Sequence, residues 1–184
     1  MVTVRLLRVG AVAPEMVDAV RGAVGDTLGC RVETHGEILD PGFAFDPERR
    51  QYNSTQILHH LEAHYEDGAD RTLGLTEVDL FIPILTFVFG EALLDRSSAV
   101  VSLHRLRLRF YGLPEDEERL LHRVQTEAVH ELGHTYGLIH CADFACAMHA
   151  SRVADETDLK GPGFCADCSK SLVSKSLQPM RYRR

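Results

Sequence analysis

His130 to Cys141 reads HELGHTYGLIHC. In a helix, residues four apart share a face, so His130 and His134 can offer two imidazole nitrogens to a single cation. Glu131 is turned by roughly 100° from His130, which lets its carboxylate reach a water on the metal rather than the metal itself. Gly137 can take the left-handed conformation that ends a helix without steric cost, so the chain reverses there. His140 then arrives from outside the helix as a third ligand. Three neutral nitrogens leave the fourth position of a tetrahedral zinc to water, whose pKa the ion lowers to about 7. Glu131 can take a proton from that water and pass it to a leaving amine, so peptide hydrolysis is the expected reaction. A bare HExxH turns up by chance in amphipathic helices, but continuation through Gly137 and His140 makes the match specific. His60 and His64 are also four apart, with His59 beside them. No third ligand follows at a matching spacing, so they are expected to form a solvated helix edge.

Cys141 follows His140 directly, Cys146 comes after four residues, and Cys165 and Cys168 form a CxxC pair further on. Thiols so spaced suit a closed, tetrahedral, structural zinc site, the alternative being free thiols in a reducing compartment. His140 and Cys141 would then bind different ions, so the structural zinc would fix the backbone that delivers the third catalytic ligand. Met148, shortly after, can serve as an apolar floor beneath the imidazoles. The fifth cysteine, Cys30, reads as a small buried hydrophobe.

The helix carrying His130 is expected to begin at Pro114, with Glu115 to Glu118 favourable at the positive end of its dipole. Leu121, Val124, Ala128 and Leu132 form its core stripe. Upstream, Val2 to Val9 reads as a strand, Pro14 to about Gly29 as a helix and Cys30 to Thr34 as a strand, an order that implies a parallel pair with a right-handed crossover. Ser54 to about Glu66 has helical spacing through Ile57, Leu58, Leu61 and Tyr65. Arg71 to Leu75, Phe87 to Phe89 and Ala99 to Leu103 read as short strands. Leu106, Leu108 and Phe110 alternate with arginines and could prolong the last of them or lead out of it.

At 184 residues and 45% apolar, one globular unit is expected. A formal charge of −7 and a pI near 5.8 disfavour binding to nucleic acid or an anionic membrane. Only the extreme C-terminus, with Arg181, Arg183 and Arg184, is basic. The N-terminus lacks a secretory pattern, and no stretch approaches the roughly 20 apolar residues of a membrane span. A cytoplasmic, monomeric protein is expected.

HExxHxxGxxHCx4CxM followed by CxxC, from the His130 helix to Cys168, resembles the archaemetzincin family, the diagnostic segment running from Leu120 to Cys168. FVFGEA, Phe87 to Ala92, is similar to that family's substrate-side edge strand. The resemblance implies an α+β fold, α/β-like at its start: a twisted mixed sheet with two backing helices, the second bearing His130 and His134. It also implies one catalytic domain over 1–184, with an N-terminal subdomain (1–137) and a zinc-stabilised C-terminal subdomain (138–184). Met148 corresponds to the Met-turn, and Phe87, Val88, Phe89 and Gly90 would pair with substrate as an added strand. Some metzincins add a tyrosine ligand two residues after the turn methionine, where this chain has Ala150. The implied activity is that of a zinc metallopeptidase with two zinc ions per chain, acting on peptides or unfolded protein, and aminopeptidase behaviour is associated with some relatives. A competing reading is a zinc-stabilised binding or regulatory protein with a vestigial site. Glu131 speaks against it, since a structural site gains nothing from a carboxylate over bound water.

Overall fold

In the computed structural model, which describes residues 2–65 and 68–176, β1 (Thr3–Val9) turns Val4 and Leu6 to one face and Leu7 and Val9 to the other. That alternation is what two buried sheet faces require. The α1 helix (Pro14–Leu28) starts with proline in its first turn and ends at Gly29, whose φ of 60° is left-handed. The chain returns as β2 (Arg31–Leu39), parallel to β1. The expected crossover is present, but β2 runs well past Thr34, because a register shift after Leu6 lets pairing resume at Ile38 and Leu39.

Two short strands, β3 (Phe45–Asp46) and β4 (Gln51–Asn53), lead into α2 (Ser54–His64), whose N-terminus is capped by the Asn53 side chain accepting from the Gln56 N–H at 3.2 Å. Then come β5 (Arg71–Thr76), β6 (Leu80–Phe81), β7 (Gly90–Ala92) and β8 (Ser98–Ser102). The main sheet has the order β2-β1-β5-β8-β7, parallel except for β7, which lies antiparallel to β8 at the edge. β3, β4 and β6 form a separate small sheet. α3 (Glu117–Thr135) packs with α1 on the face made by Val4, Leu6, Leu73, Leu75, Ala99 and Val101, while α2 covers the opposite face at Leu7, Val9 and Val100. The mixed sheet with two helices on one side, the second carrying His130 and His134, is thus observed. After α3 come a short α4 (Ala154–Thr157) and α5 (Ala166–Ser176). A third apolar cluster of Tyr136, Leu138, Cys146, Met148 and Leu172 ties α5 to the turn after α3. No described helix is long and apolar enough to cross a membrane.

Four expectations need correction. Phe87 to Phe89 is not a strand of the main sheet: the Val88 N–H is bonded to the Leu80 carbonyl at 3.0 Å, and regular pairing with β8 begins only at Gly90. The active helix begins at Glu117 rather than Pro114, because the Asp116 carboxylate caps it by accepting from the Arg119 N–H at 3.0 Å. The alternation over Leu106, Leu108 and Phe110 is a turn and a 3-10 segment. Arg105 and Arg107 are drawn to Asp79 and Glu77, respectively, and Leu106 and Leu108 are buried. The C-terminal stretch contains a helix, α5, that was not expected. The α2 end expected at Glu66 and the basic residues Arg181, Arg183 and Arg184 lie outside the described residues.

One buried ion pair fixes α3 to the segment after it. The Arg123 side chain is wholly buried, and it donates to Asp158 at 2.7 Å, to Asp155 at 2.8 Å and to the Leu106 carbonyl at 2.9 Å. Burial alone would raise the Asp158 carboxyl, but hydrogen bonds from Arg123 and Arg119 hold it below the usual carboxylate range. Its stabilising effect is therefore full above the unfolded value of about 3.9 and lost as pH falls through the lower folded value. Asp158→Asn leaves a buried guanidinium short of its partner, so urea denaturation at neutral pH should show a loss of about 3 kcal/mol. The difference from the parent protein should shrink in acid.

Candidate metal centre

α3 brings the first two histidines and Glu131 into the fold's interior, since Arg123 to Gly133 is buried on nearly every side. The helix stops where Gly137, with φ of 80°, sends its N–H back to the His134 carbonyl at 2.8 Å and the Leu138 N–H to Gly133 at 3.1 Å. The reversal carries His140 back over the helix. Nitrogens of His130, His134 and His140 all lie within 4.8 Å of one another, and the His130 and His134 Nε2 atoms are 3.1 Å apart. Zinc–nitrogen bonds of about 2.0–2.1 Å in a tetrahedron need donors roughly 3.3 Å apart, so the donor set fits zinc.

The tautomers are set by the backbone. His130 Nδ1 lies 2.7 Å from the Ala147 carbonyl and His134 Nδ1 lies 2.7 Å from the Leu138 carbonyl. A proton held at each Nδ1 leaves each Nε2 lone pair free for a metal. Burial pushes His130 well below the ordinary histidine range, helped by the charge of Lys160, and burial likewise lowers His134 and His140. All three are therefore neutral donors at physiological pH. His140 is exposed at the mouth of the cleft.

That cleft, of about 380 Å³, is walled by Leu85 to Gly90 on one side and by Glu127, His130, Glu131, His140 and Ala150 to Arg152 on the other. Ala150 offers no donor, so the site has no fourth protein ligand at that position. The Glu131 carboxyl is pushed well up by burial first, then by Glu127 and Glu91. A cation on the histidines opposes that shift. Glu131 reaches its place only because residue 90 is glycine: a Cβ there would lie 2.6 Å from Glu131 Cγ and 2.7 Å from Oε1 and from the Val100 carbonyl. Gly90→Ala should therefore displace the carboxylate and lower kcat about 10- to 100-fold, as a misplacement near 1 Å does. Metal analysis of the same sample should still find zinc. On the other side of β7, Glu91 accepts from the hydroxyls of Ser54 at 2.5 Å and Thr55 at 2.9 Å, which pins the edge strand to the start of α2.

Met148 is fully buried, and its sulfur occupies the space that a side chain at Gly133, next to His134, would need. Its carbonyl accepts from the Cys141 N–H at 3.0 Å. Sulfurs of Cys141, Cys146, Cys165 and Cys168 also lie within 4.8 Å of one another, with Cys141 and Cys165 at 3.9 Å. Zinc–sulfur bonds near 2.3 Å call for about 3.8 Å, so these four suit a closed site. Backbone N–H groups of Asp143, Cys165 and Cys168 point at the sulfurs of Cys141, Cys146 and Cys165, as thiolates require. Cys30 is instead half-buried against the main core, its thiol pushed up mainly by burial. His60 and His64 stack ring on ring at 4.2 Å, with Phe43 on His60, and no third donor joins them among the described residues.

The sequence profile of peptidase family M54 matches residues 20–174. The chain belongs to this family, the archaemetzincins. It is 39% identical over 170 residues to an archaemetzincin of Methanocaldococcus jannaschii, covering 92% of each chain, and 45% identical over 131 residues to that of Thermococcus kodakarensis, covering 71% of this chain and 70% of the relative. The crystal structure of an archaemetzincin from Methanopyrus kandleri superposes with a TM-score of 0.84 at 36% identity, over 96% of both chains. One from Archaeoglobus fulgidus, solved with malonate, gives 0.80 at 32% identity, over 92% of this chain and 99% of that one. This member of the family is a zinc metallopeptidase whose histidine triad and four-cysteine cluster call for two zinc ions.

Missing from the sequence-based reading were Glu127 and Ser151 in the cleft wall, Glu91 behind it, and Lys160. Only Glu127 left a trace, as a carboxylate one turn before Glu131 in a helix otherwise bound for the core.

Proposed function

We propose that Glu131 is the general base and acid of peptide hydrolysis in the cleft between β7 and α3, with His130, His134 and His140 holding the catalytic zinc and Cys141, Cys146, Cys165 and Cys168 the structural one. The observation that carries this reading is the convergence of three neutral imidazoles in one cleft with a carboxylate packed against Gly90. Zinc bound there supplies a Lewis acid that acidifies water and polarises a carbonyl. Glu131 takes a proton from the attacking water and returns it to the departing amine, so that water and a peptide bond become a carboxylate and an amine. Met148 acts as the apolar floor under the rings. The backbone from Phe87 to Gly90 takes the substrate as an added strand beside β7, with the Phe89 ring buried in the core and not offered to it.

Peptides or unfolded protein segments are the substrates in this reading. The four-cysteine cluster suits a reducing, cytoplasmic setting, and the acidic balance of the sequence argues against nucleic acid. Residues 1–184 are read as one catalytic domain, its C-terminal subdomain from residue 138 held by the structural zinc, and as a monomer. A chelator strong enough to strip the histidine site should abolish cleavage of a mixed peptide library, and added zinc should restore it. Two bound zinc ions with no cleavage of any library member would sink the proposal. Sequencing the products separates removal of single N-terminal residues from internal cuts.

A further inference from the structure

Lys160 carries its charge where no solvent reaches: the side chain is wholly buried, as is nearly all of Glu127, whose Oε1 lies 3.2 Å from its Nζ. The ammonium also donates to the Ala147 carbonyl at 3.1 Å and to the His149 carbonyl at 2.6 Å. The ammonium thus hydrogen-bonds two backbone carbonyls and is charge-paired with one carboxylate, within reach of its three N–H donors. The two carbonyls flank Met148, one residue to either side. One of them, that of Ala147, is the oxygen facing His130 Nδ1 at 2.7 Å. Both ends of Lys160 are fastened to α3, the side chain through Glu127 and the main-chain carbonyl through His122 Nε2 at 2.8 Å.

Burying such a pair is costly, and well-packed apolar residues would serve packing as well. Direction is what apolar residues could not supply. The Ala147 oxygen that the ammonium holds is the one that meets the imidazole N–H, so the lysine can fix the direction from which that oxygen faces the ring. We propose that Lys160 is a positioning residue of the catalytic centre. Neutralised by Glu127, it clamps the carbonyls on either side of Met148, so that Ala147 holds His130 with Nε2 toward the metal. The clamp rests on the reading of the histidine triad as a zinc site.

The test is zinc competition against a graded chelator in the full-length protein, comparing wild type with Lys160→Met and with the double variant Lys160→Met/Glu127→Leu. The single variant strands a buried carboxylate, whereas the double variant removes both charges and keeps the packing. Losing an outer partner of a ligand typically weakens metal binding about 10- to 100-fold. The double variant should keep its four-cysteine zinc, lose affinity at the histidine site tenfold or more, and shift the visible bands of cobalt placed in that site. Affinity within twofold of wild type and unchanged cobalt bands, even with a lower Tm, would overturn the clamp. Should neither variant fold, wild type labelled with 15N at lysine and histidine and with 13C at the alanine carbonyls decides: the Lys160 ammonium should exchange slowly and couple across its hydrogen bond to the Ala147 carbonyl, and a freely exchanging ammonium overturns the proposal. A wild type that binds one zinc only would instead refute the histidine zinc site itself, and the clamp with it.

Discussion

Glu131→Gln should lower kcat about 10²- to 10⁴-fold, the usual contribution of a positioned proton-transfer group. The amide has the shape of the carboxyl, so the close fit against Gly90 survives. What it lacks is a lone pair basic enough to accept the proton of water. Both zinc ions should remain, since Glu131 is not among the clustered donors, and KM should change little because the substrate contacts proposed above lie along the opposite wall. Steady-state kinetics with metal analysis on the same preparation checks this. A variant with full zinc and a rate within tenfold of the parent would remove Glu131 from the chemistry.

Cys146→Ser should act at two places. Cys146 is the buried member of the sulfur cluster and accepts from the Cys165 N–H at 3.3 Å. Closed thiolate sites supply about 10–16 kcal/mol of apparent folding free energy, so losing one ligand should release the structural zinc and loosen α5. The second effect follows from adjacency. Cys141 comes directly after His140, its N–H is bonded to the Met148 carbonyl at 3.0 Å and its carbonyl meets His149 Nδ1 at 2.9 Å. The loop that aims His140 is thus closed through the sulfur cluster, and affinity at the histidine site should drop about tenfold or more. Intact affinity there, with the structural zinc gone, would show the two ions to be uncoupled.

The metal chemistry was readable because it depends on local spacing. A step of four positions from His130 to His134 fixes two donors on one helix face, Gly137 forces the reversal, and short intervals bring four cysteines together whatever the rest of the chain does. The first crossover was readable for the same reason, with Pro14 and Gly29 marking the ends of α1. Other features depend on distant partners. The arginines at 105 and 107 alternate like a strand, yet carboxylates at Asp79 and Glu77, more than 25 residues away, draw them into a turn. Val88 looks like strand but is bonded to Leu80 outside the main sheet. Lys160 reads as an ordinary surface lysine, and nothing near it in sequence shows that Glu127 and two carbonyls wait for it. Gly90 reads only as one position of the substrate-side strand and Gly133 as an unremarkable small residue until the Glu131 and Met148 side chains are seen in the space they leave.

β7 is three residues long and closes the main sheet on the side of the cleft. If substrate docks beside it as proposed, a sheet border of this kind selects by conformational state before it selects by side chain. A polypeptide already committed to helix has its amides and carbonyls occupied and cannot dock lengthwise, while a denatured or frayed stretch arrives with both free. Turnover of a given protein should then track how often that protein locally unravels, which makes the fold of the target, and not a cleavage motif, the first determinant of its lifetime in the presence of this enzyme.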